Sequence, residues 1–597
     1  MKKSVKVLTA LLTAVSLFAC KSGKVPEKKA SFKPGTYSGQ AQGFHGLIKL
    51  NVTVDERSIK KIVITEQNET EGIGSNAVEQ LPGKIVKAQS LAVDTIAGCT
   101  ISSKAILAAV ETALASSGAD TAALKKVQKT EARTVATKEL NTQVLVVGAG
   151  GAGMTAALRA AQKGLKVLVV EKMAYVGGAT AMSSSSTFAQ GTRTQKEKDS
   201  PEAAKEDLLK VGNNKNDDIP VTLLATYSGE AVDWLDDSGV DYADDTGRAS
   251  AEYRVGRARM HISRSGAGLI KNLYDVLRAQ GVEVKLNTPA YKLITDNGKV
   301  TGAWAHGEDA DYKINADAVI LATGGYCYDN RYISKELKKL PNSGSVANTG
   351  DGLTMVEPLG AKLINMEYVA VAGHGIRKGN SSQHTKPQCL TAYRTTGTIL
   401  VNMAGKRIVN ETGTDAKLVD AMAKAGRVFM LMDKAAFDVY TSSAIERKYF
   451  SEADKEQWLK ENGTGITVFA HGDSLKEVAE RVGMDAAGLE KTFEAYKSYA
   501  AKGEDPNFGR KATIALSDKG PYYLVEQCLR YSTTLGGVQI NEKLQVLKKD
   551  GTAIEGLYAA GEFVGGVFGE RFPPSSGVGW AMTSGKLVGE SVAEALK

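Results

Sequence analysis

Val144, Leu145, Val146 and Val147 run directly into a turn bearing Gly148, Gly150, Gly151 and Gly153, and Glu171 closes the next apolar run. Four consecutive apolar residues suit a strand buried on both faces. Residues 154–163 then have helical spacing, and 166–171 read as a second strand. This order commits the chain to a βαβ unit, and so to a doubly wound parallel sheet. Gly148 makes the tight turn, Gly150 lets backbone approach a pyrophosphate, and Gly153 lets helix and strand pack closely. The helix N-terminus faces the phosphates, and Glu171 accepts hydrogen bonds from a ribose. Gly151, Ala152 and Lys172 complete this dinucleotide-binding set.

Further turns point to FAD rather than NAD. Gly178, Ala179 and Thr180 follow the acid closely. Later strands at 318–321 and 556–559 close on Gly324 and Glu562, with Gly352 between them. Gly577 and Val578 open the last helix, whose first amides suit the N1–C2=O edge of a reduced flavin. Together these residues resemble the FAD-binding domain of the fumarate reductase and succinate dehydrogenase flavoprotein superfamily. The resemblance spans 140–365 and 530–597 and implies non-covalent FAD.

A different signature lies upstream. Asp94, Gly98, Thr100 and Ser102 fall in one short segment, followed by helical spacing over 103–114. Residues 46–54 and 61–65 alternate as strands do. The region 32–118 resembles the small FMN-binding domain of some soluble members of the same superfamily. Gly35 to Gly39, the acidic stretch 68–74 and the 94–103 motif carry that likeness. It implies FMN esterified to Thr100 by a separate flavin transferase, although Ala97 and Cys99 depart from the usual Ser-Gly-Ala-Thr. Residues 119–139, rich in Ala, Lys and Thr, read as a linker.

At 597 residues the chain needs more than one core. Its formal charge of +8 is spread along the sequence, which excludes the clustered basic footprint of a nucleic-acid binder. Residues 1–20 have a basic start, an apolar run and the ending Leu17-Phe18-Ala19-Cys20. They read as a lipoprotein-type signal peptide, with Cys20 the acylated anchor of an exported protein, periplasmic or otherwise extracytoplasmic. The five cysteines form no Cys-x-x-Cys pair. No metal site or haem relay is therefore expected, and FMN is the visible electron entry.

Between 366 and 529 strand-like 398–402 gives way to charged helical stretches, an inserted α+β cap. The expected fold is thus α/β: a Rossmann-like FAD domain with its cap, preceded by a small α+β FMN domain. The two-flavin layout resembles urocanate and fumarate reductases of anaerobic respiration. It implies electrons passing from a membrane or extracytoplasmic donor through FMN to FAD, and reduction of the C=C bond of an unsaturated acid. Residues 397–411 fit that family's cap. The family's proton-donating arginine falls on Asp415, however, and its two histidines fall on Ala372 and Thr533. A urocanate or aryl-acrylate substrate therefore suits better than fumarate. Arg394 and Arg571 are the candidate substrate arginines, with Arg530 a third. Tyr531, Tyr393, Tyr368 and His374 are candidate proton donors. The alternatives are a dehydrogenase of ketosteroid type, which shares the FAD domain, and an electron-transfer flavolipoprotein without organic substrate.

Overall fold

The structure, a computed structural model, describes residues 32–597 except 45, 70–73, 97, 127–135, 245–249, 308, 380, 448 and 512. The expected signal peptide with Cys20, the middle of the acidic stretch, Ala97 and much of the expected linker lie outside the described residues. Among those described, no helix is long and apolar enough to cross a membrane.

Among the described residues, three hydrophobic cores divide the chain. In the first unit β1 (Gly35–Gln42), β2 (Leu47–Val54) and β3 (Ile59–Glu66) form an antiparallel sheet. Ile48, Leu50, Val52 and Val54 alternate inward along β2, as a half-buried strand requires. They meet α1 (Gly74–Ala88) and α2 (Thr100–Ser116), whose Ile106, Ala109, Val110 and Ala113 are buried.

The second unit is built on β4 (Ala136–Val147), α3 (Gly151–Gln162) and β5 (Val167–Val170). Its sheet adds β6 (Glu283–Lys285), β7 (Ala290–Asp296), β8 (Lys299–His306) and β9 (Ala310–Leu321). The strands β9, β4, β5 and β6 are neighbours and parallel. Strand β4 begins inside the stretch expected to be linker, because Ala136 already pairs with Ala310. Its outer half is exposed, so the sequence there carries no apolar run to announce it.

The third unit interrupts the second. Its six-stranded sheet contains β10 (Val369–Lys378), β11 (Ser381–His384), β12 (Ile399–Asn402), β13 (Val428–Asp433), β14 (Phe469–Gly472) and β15 (Tyr522–Thr534). Helices α4 (Lys386–Thr395) and α5 (Asp415–Ala425) flank its inner edge. A buried ion network fixes the segment expected to match the family. Arg407 grips Glu411 at 2.8 and 2.7 Å and Asp505 at 2.7 Å, and Arg510 reaches Glu411 at 3.1 Å. The return to the FAD unit at 529–530 falls inside β15, so Arg530 and Tyr531 belong to the cap sheet. The chain then adds β16 (Gln545–Leu547) and β17 (Ala553–Ala559) beside β9. It ends in α6 (Ser576–Ala595).

Candidate active site

The turn after β4 has the shape a dinucleotide needs. Gly148 has φ +106°, and a Cβ there would lie 2.3 Å from the Ala322 carbonyl oxygen. A Cβ on Gly153 would lie 1.9 Å from the Gly148 oxygen. Gly150 is different: its Cβ would meet only the Gly177 oxygen, at 3.9 Å. That face is open between the 148–153 turn and the 177–180 turn, where Thr180 sits against Gly151. The first-turn amides of α3 point there without intrahelical partners. Thr323, beside Gly324 and against Gly352, has a buried hydroxyl with no hydrogen-bond partner. These residues fit FAD.

Two buried acids brace this cradle. Glu171 accepts the Ala149 and Met173 amides, both at 2.8 Å. Burial raises its pKa, while a carboxylate keeps further lone pairs for ribose hydroxyls. Glu562 accepts the Thr534 amide at 2.9 Å, the Thr534 hydroxyl at 3.0 Å and the Asn348 amide at 3.0 Å. It ties the end of the cap strand to the FAD unit. The Lys172 ammonium is engaged by Asp351 and Thr349, each at 2.6 Å. Gly577 lies against the Phe572 ring in the first turn of α6, with Val578 beside it.

The Thr100 motif sits on the FAD unit. Thr100 is the exposed first residue of α2, preceded by Cys99, whose side chain makes no cap bond. The helix start leaves first-turn amides of the kind that suit a phosphate. Gly98, at φ +79°, accommodates the Tyr175 hydroxyl, which would lie 2.0 Å from a Cβ. Tyr175 also meets the Cys99 thiol, whose pKa burial pushes up to about 11. Ala174 enters the FMN-unit core, and its carbonyl accepts the Gln80 side-chain amide at 3.1 Å. Residues 173–175 follow Glu171 with only Lys172 between, so one loop serves both units. Nothing in the sequence marked Tyr175, because its partner lies some 75 positions away.

The cap faces this assembly with a cluster of bases. Strand β10 pairs Ala372 with Arg530 and Gly375 with Cys528, and the register slips between them. His374 occupies that bulge at φ +59° and is buried. Bulges re-aim side chains in this way. Burial lowers its pKa to about 3, so the ring is neutral. Arg530 is 8% exposed and donates to Ser343 Oγ at 2.6 Å and His384 Nδ1 at 2.5 Å. Accepting at Nδ1 gives His384 the Nε2–H tautomer, and burial holds it well below the usual imidazole range. Lys386 is ion-paired with Asp415, whose amide donates to Glu252 at 2.8 Å.

The other expected residues fall around this cluster unevenly. Tyr531 is buried one residue from Arg530, and burial raises its phenol pKa. Tyr393 is fully buried 5.6 Å from the His374 ring, its hydroxyl unpartnered. Tyr368 is half-buried at the entry to β10. Arg571 reaches the cap, but its fork is occupied by Asp420 at 3.0 and 3.1 Å and by the Ala416 carbonyl at 3.3 Å. Arg394 is exposed on α4, whose buried side carries Gln388, Cys389, Ala392 and Tyr393. His384, Lys386 and Ser343 were not foreseen. Each is an ordinary polar residue until β11, α4 and the 341–345 segment are folded against β15.

Residues 143–577 match the family of FAD binding domains, and residues 43–115 match the FMN-binding domain. The chain is 33% identical over 462 residues to the fumarate reductase (cytochrome) of Shewanella frigidimarina, covering 76% of this chain and 77% of that one. It is 30% identical over 579 residues to the urocanate reductase of Eggerthella lenta, covering 93% and 92%. The open conformation of a flavocytochrome c3 fumarate reductase superposes with a TM-score of 0.62 at 31% identity, covering 76% and 78%. The chain belongs to this flavoprotein family, with an FAD-binding and an FMN-binding domain, and is an FAD-dependent oxidoreductase acting on CH–CH bonds.

Proposed function

We propose that the chain is an exported reductase in which electrons enter at FMN esterified to Thr100, pass to FAD, and saturate the C=C bond of an unsaturated carboxylate. The observation that carries this reading is the contact of Tyr175 with Gly98, which seats the attachment turn on the loop leaving Glu171. A second carrier held there has a structural purpose that a lone FAD oxidase lacks. Flavin supplies the hydride chemistry; the chain supplies the rest. Cradle glycines position the dinucleotide, the cap covers the reacting face and excludes water, and Tyr531 holds a proton at its phenol. Asp415 is engaged by Lys386, and the bases nearby suit an aryl or heteroaryl acrylate of urocanate type better than fumarate. A flavin transferase loads Thr100, and lipidated Cys20 places the enzyme beside a membrane electron donor.

The test is anaerobic reoxidation of the dithionite-reduced, flavinylated protein by fumarate, urocanate, cinnamate, acrylate and an enone steroid. Rapid return of the oxidised spectrum with one acid is expected, and response to the steroid alone overturns the reading. Thr100→Ala should abolish covalent flavin on a denaturing gel while leaving bound FAD. Retention of covalent flavin in that variant removes Thr100 from the proposal.

A further inference from the structure

Several deeply placed arginines of the molecule meet acids. Arg257 binds Asp199 at 2.7 Å and Asp207 at 2.7 Å, and Arg407 and Arg510 share Glu411. A guanidinium taken out of water needs such compensation. Arg530 departs from this pattern. Among the described residues no carboxylate pairs with it, and its two hydrogen-bond partners, Ser343 and His384, are neutral. Its Nε is buried without a partner. The two partners together use one N–H on each terminal nitrogen, which leaves Nε and further N–H groups of a planar fork. That fork matches a carboxylate bidentately.

The surroundings point the same way. His374, on the adjoining strand, also has a buried Nε2 with no partner. The one acid near enough to act on both His374 and Arg530, Asp415, is already held by Lys386. Burial itself drags the Arg530 pKa down to about 10, the direction expected of a cation awaiting an anion. Arg571, one of the two arginines singled out by resemblance, is by contrast occupied by Asp420.

We propose that Arg530, oriented by His384 and Ser343, is the residue that recognises the substrate's carboxylate, and that the cluster takes a single carboxylate group. The site lies where the bulge of β10 and the middle of β15 meet the 341–345 segment of the FAD unit. The substrate class is thus an acid held through one carboxylate. This inference rests on the reductase reading above for the substrate's identity, not for the binding of the anion.

The experiment compares Arg530→Gln and Arg530→Lys with the unaltered holoenzyme. The acid with the highest kcat/KM in the reoxidation panel is the probe, and its primary amide is the neutral control. Arg530→Gln should raise KM for the acid at least about 30-fold, as loss of one member of a buried charge pair does, with kcat changed far less. The preference of the unaltered enzyme for acid over amide should disappear in this variant. Arg530→Lys should recover part of it, since a point charge keeps the attraction and loses the fork. An acid-to-amide preference unchanged in Arg530→Gln overturns the proposal. If Arg530→Gln loses its FAD, Arg530→Lys carries the same comparison. If no acid in the panel is reduced, the reductase reading falls, and calorimetric titration with propionate still decides the inference. Binding that vanishes in the variant supports it; equal or absent binding in the unaltered protein overturns it.

Discussion

Around Gly148 the buried charges are acids, and the folded chain supplies their partners. Glu171 is met by two backbone amides, and Glu562 by one amide and two side chains. Around His374 the buried groups are two bases and a phenol, and the chain leaves atoms of each unmet: His374 Nε2, Arg530 Nε and the Tyr393 hydroxyl. The first region is a finished scaffold that holds a ligand by backbone shape. The second is a set of side chains with polar atoms left unpartnered, which the proposed carboxylate would complete. The same low dielectric that strengthens a made hydrogen bond makes an unmade one costly. On the carboxylate proposal, the cap accepts instability at the place where it binds.

This contrast breaks most easily at the scaffold. Gly153→Ala forces a Cβ to 1.9 Å from the Gly148 oxygen, and the turn has no flexible side chain to move aside. Near-complete loss of bound FAD is expected, with destabilisation of about 3 kcal/mol from overpacking. The flavin-to-protein ratio and a denaturant melt measure both, and a variant that keeps full FAD contradicts the scaffold description.

The cap should instead reveal itself through pH. His374 titrates near 6.5 when unfolded and at about 3 when folded. Below pH 6.5 the unfolded chain binds a proton that the folded one does not, so stability is full above 6.5 and falls progressively toward 3. The slope is about 1.4 kcal/mol per pH unit for one such group. Melts of the unaltered protein between pH 7 and 4 should therefore steepen, and His374→Gln should remove one proton's worth of that slope. An unchanged slope means that His374 is not the buried neutral group described.

The smallest effect separates the two cap-facing arginines. The Arg571–Asp420 pair is half exposed on its acid side, so Asp420→Asn should cost under about 1 kcal/mol. It should also free the Arg571 fork without harming FAD content. Substrate affinity that rises sharply in Asp420→Asn would transfer the carboxylate role from Arg530 to Arg571.

Most of the fold was legible because its signals are local. The run 144–147, the glycines after it and Glu171 lie within 28 positions, and strand, turn and helix each follow from neighbours in sequence. The alternation in β2 and the Thr100 motif before α2 are legible for the same reason. The linker was misread at 136–139, where β4 is exposed and its pairing with β9 is 174 residues distant. The exposed position of Arg394 was not legible either, because the resemblance fixes its place along α4 while only packing decides which face of α4 is buried.

The sequence alone thus determined three units, the dinucleotide turn and the threonine at the head of α2. Each depends on backbone conformations that a few adjacent residues impose. Tertiary structure alone decided that Tyr175 covers Gly98, that a bulge aims His374 inward, and that Arg530 meets Ser343 and His384 rather than an acid. Those contacts join residues dozens to nearly two hundred positions apart. Their energies depend on burial, which no local pattern specifies.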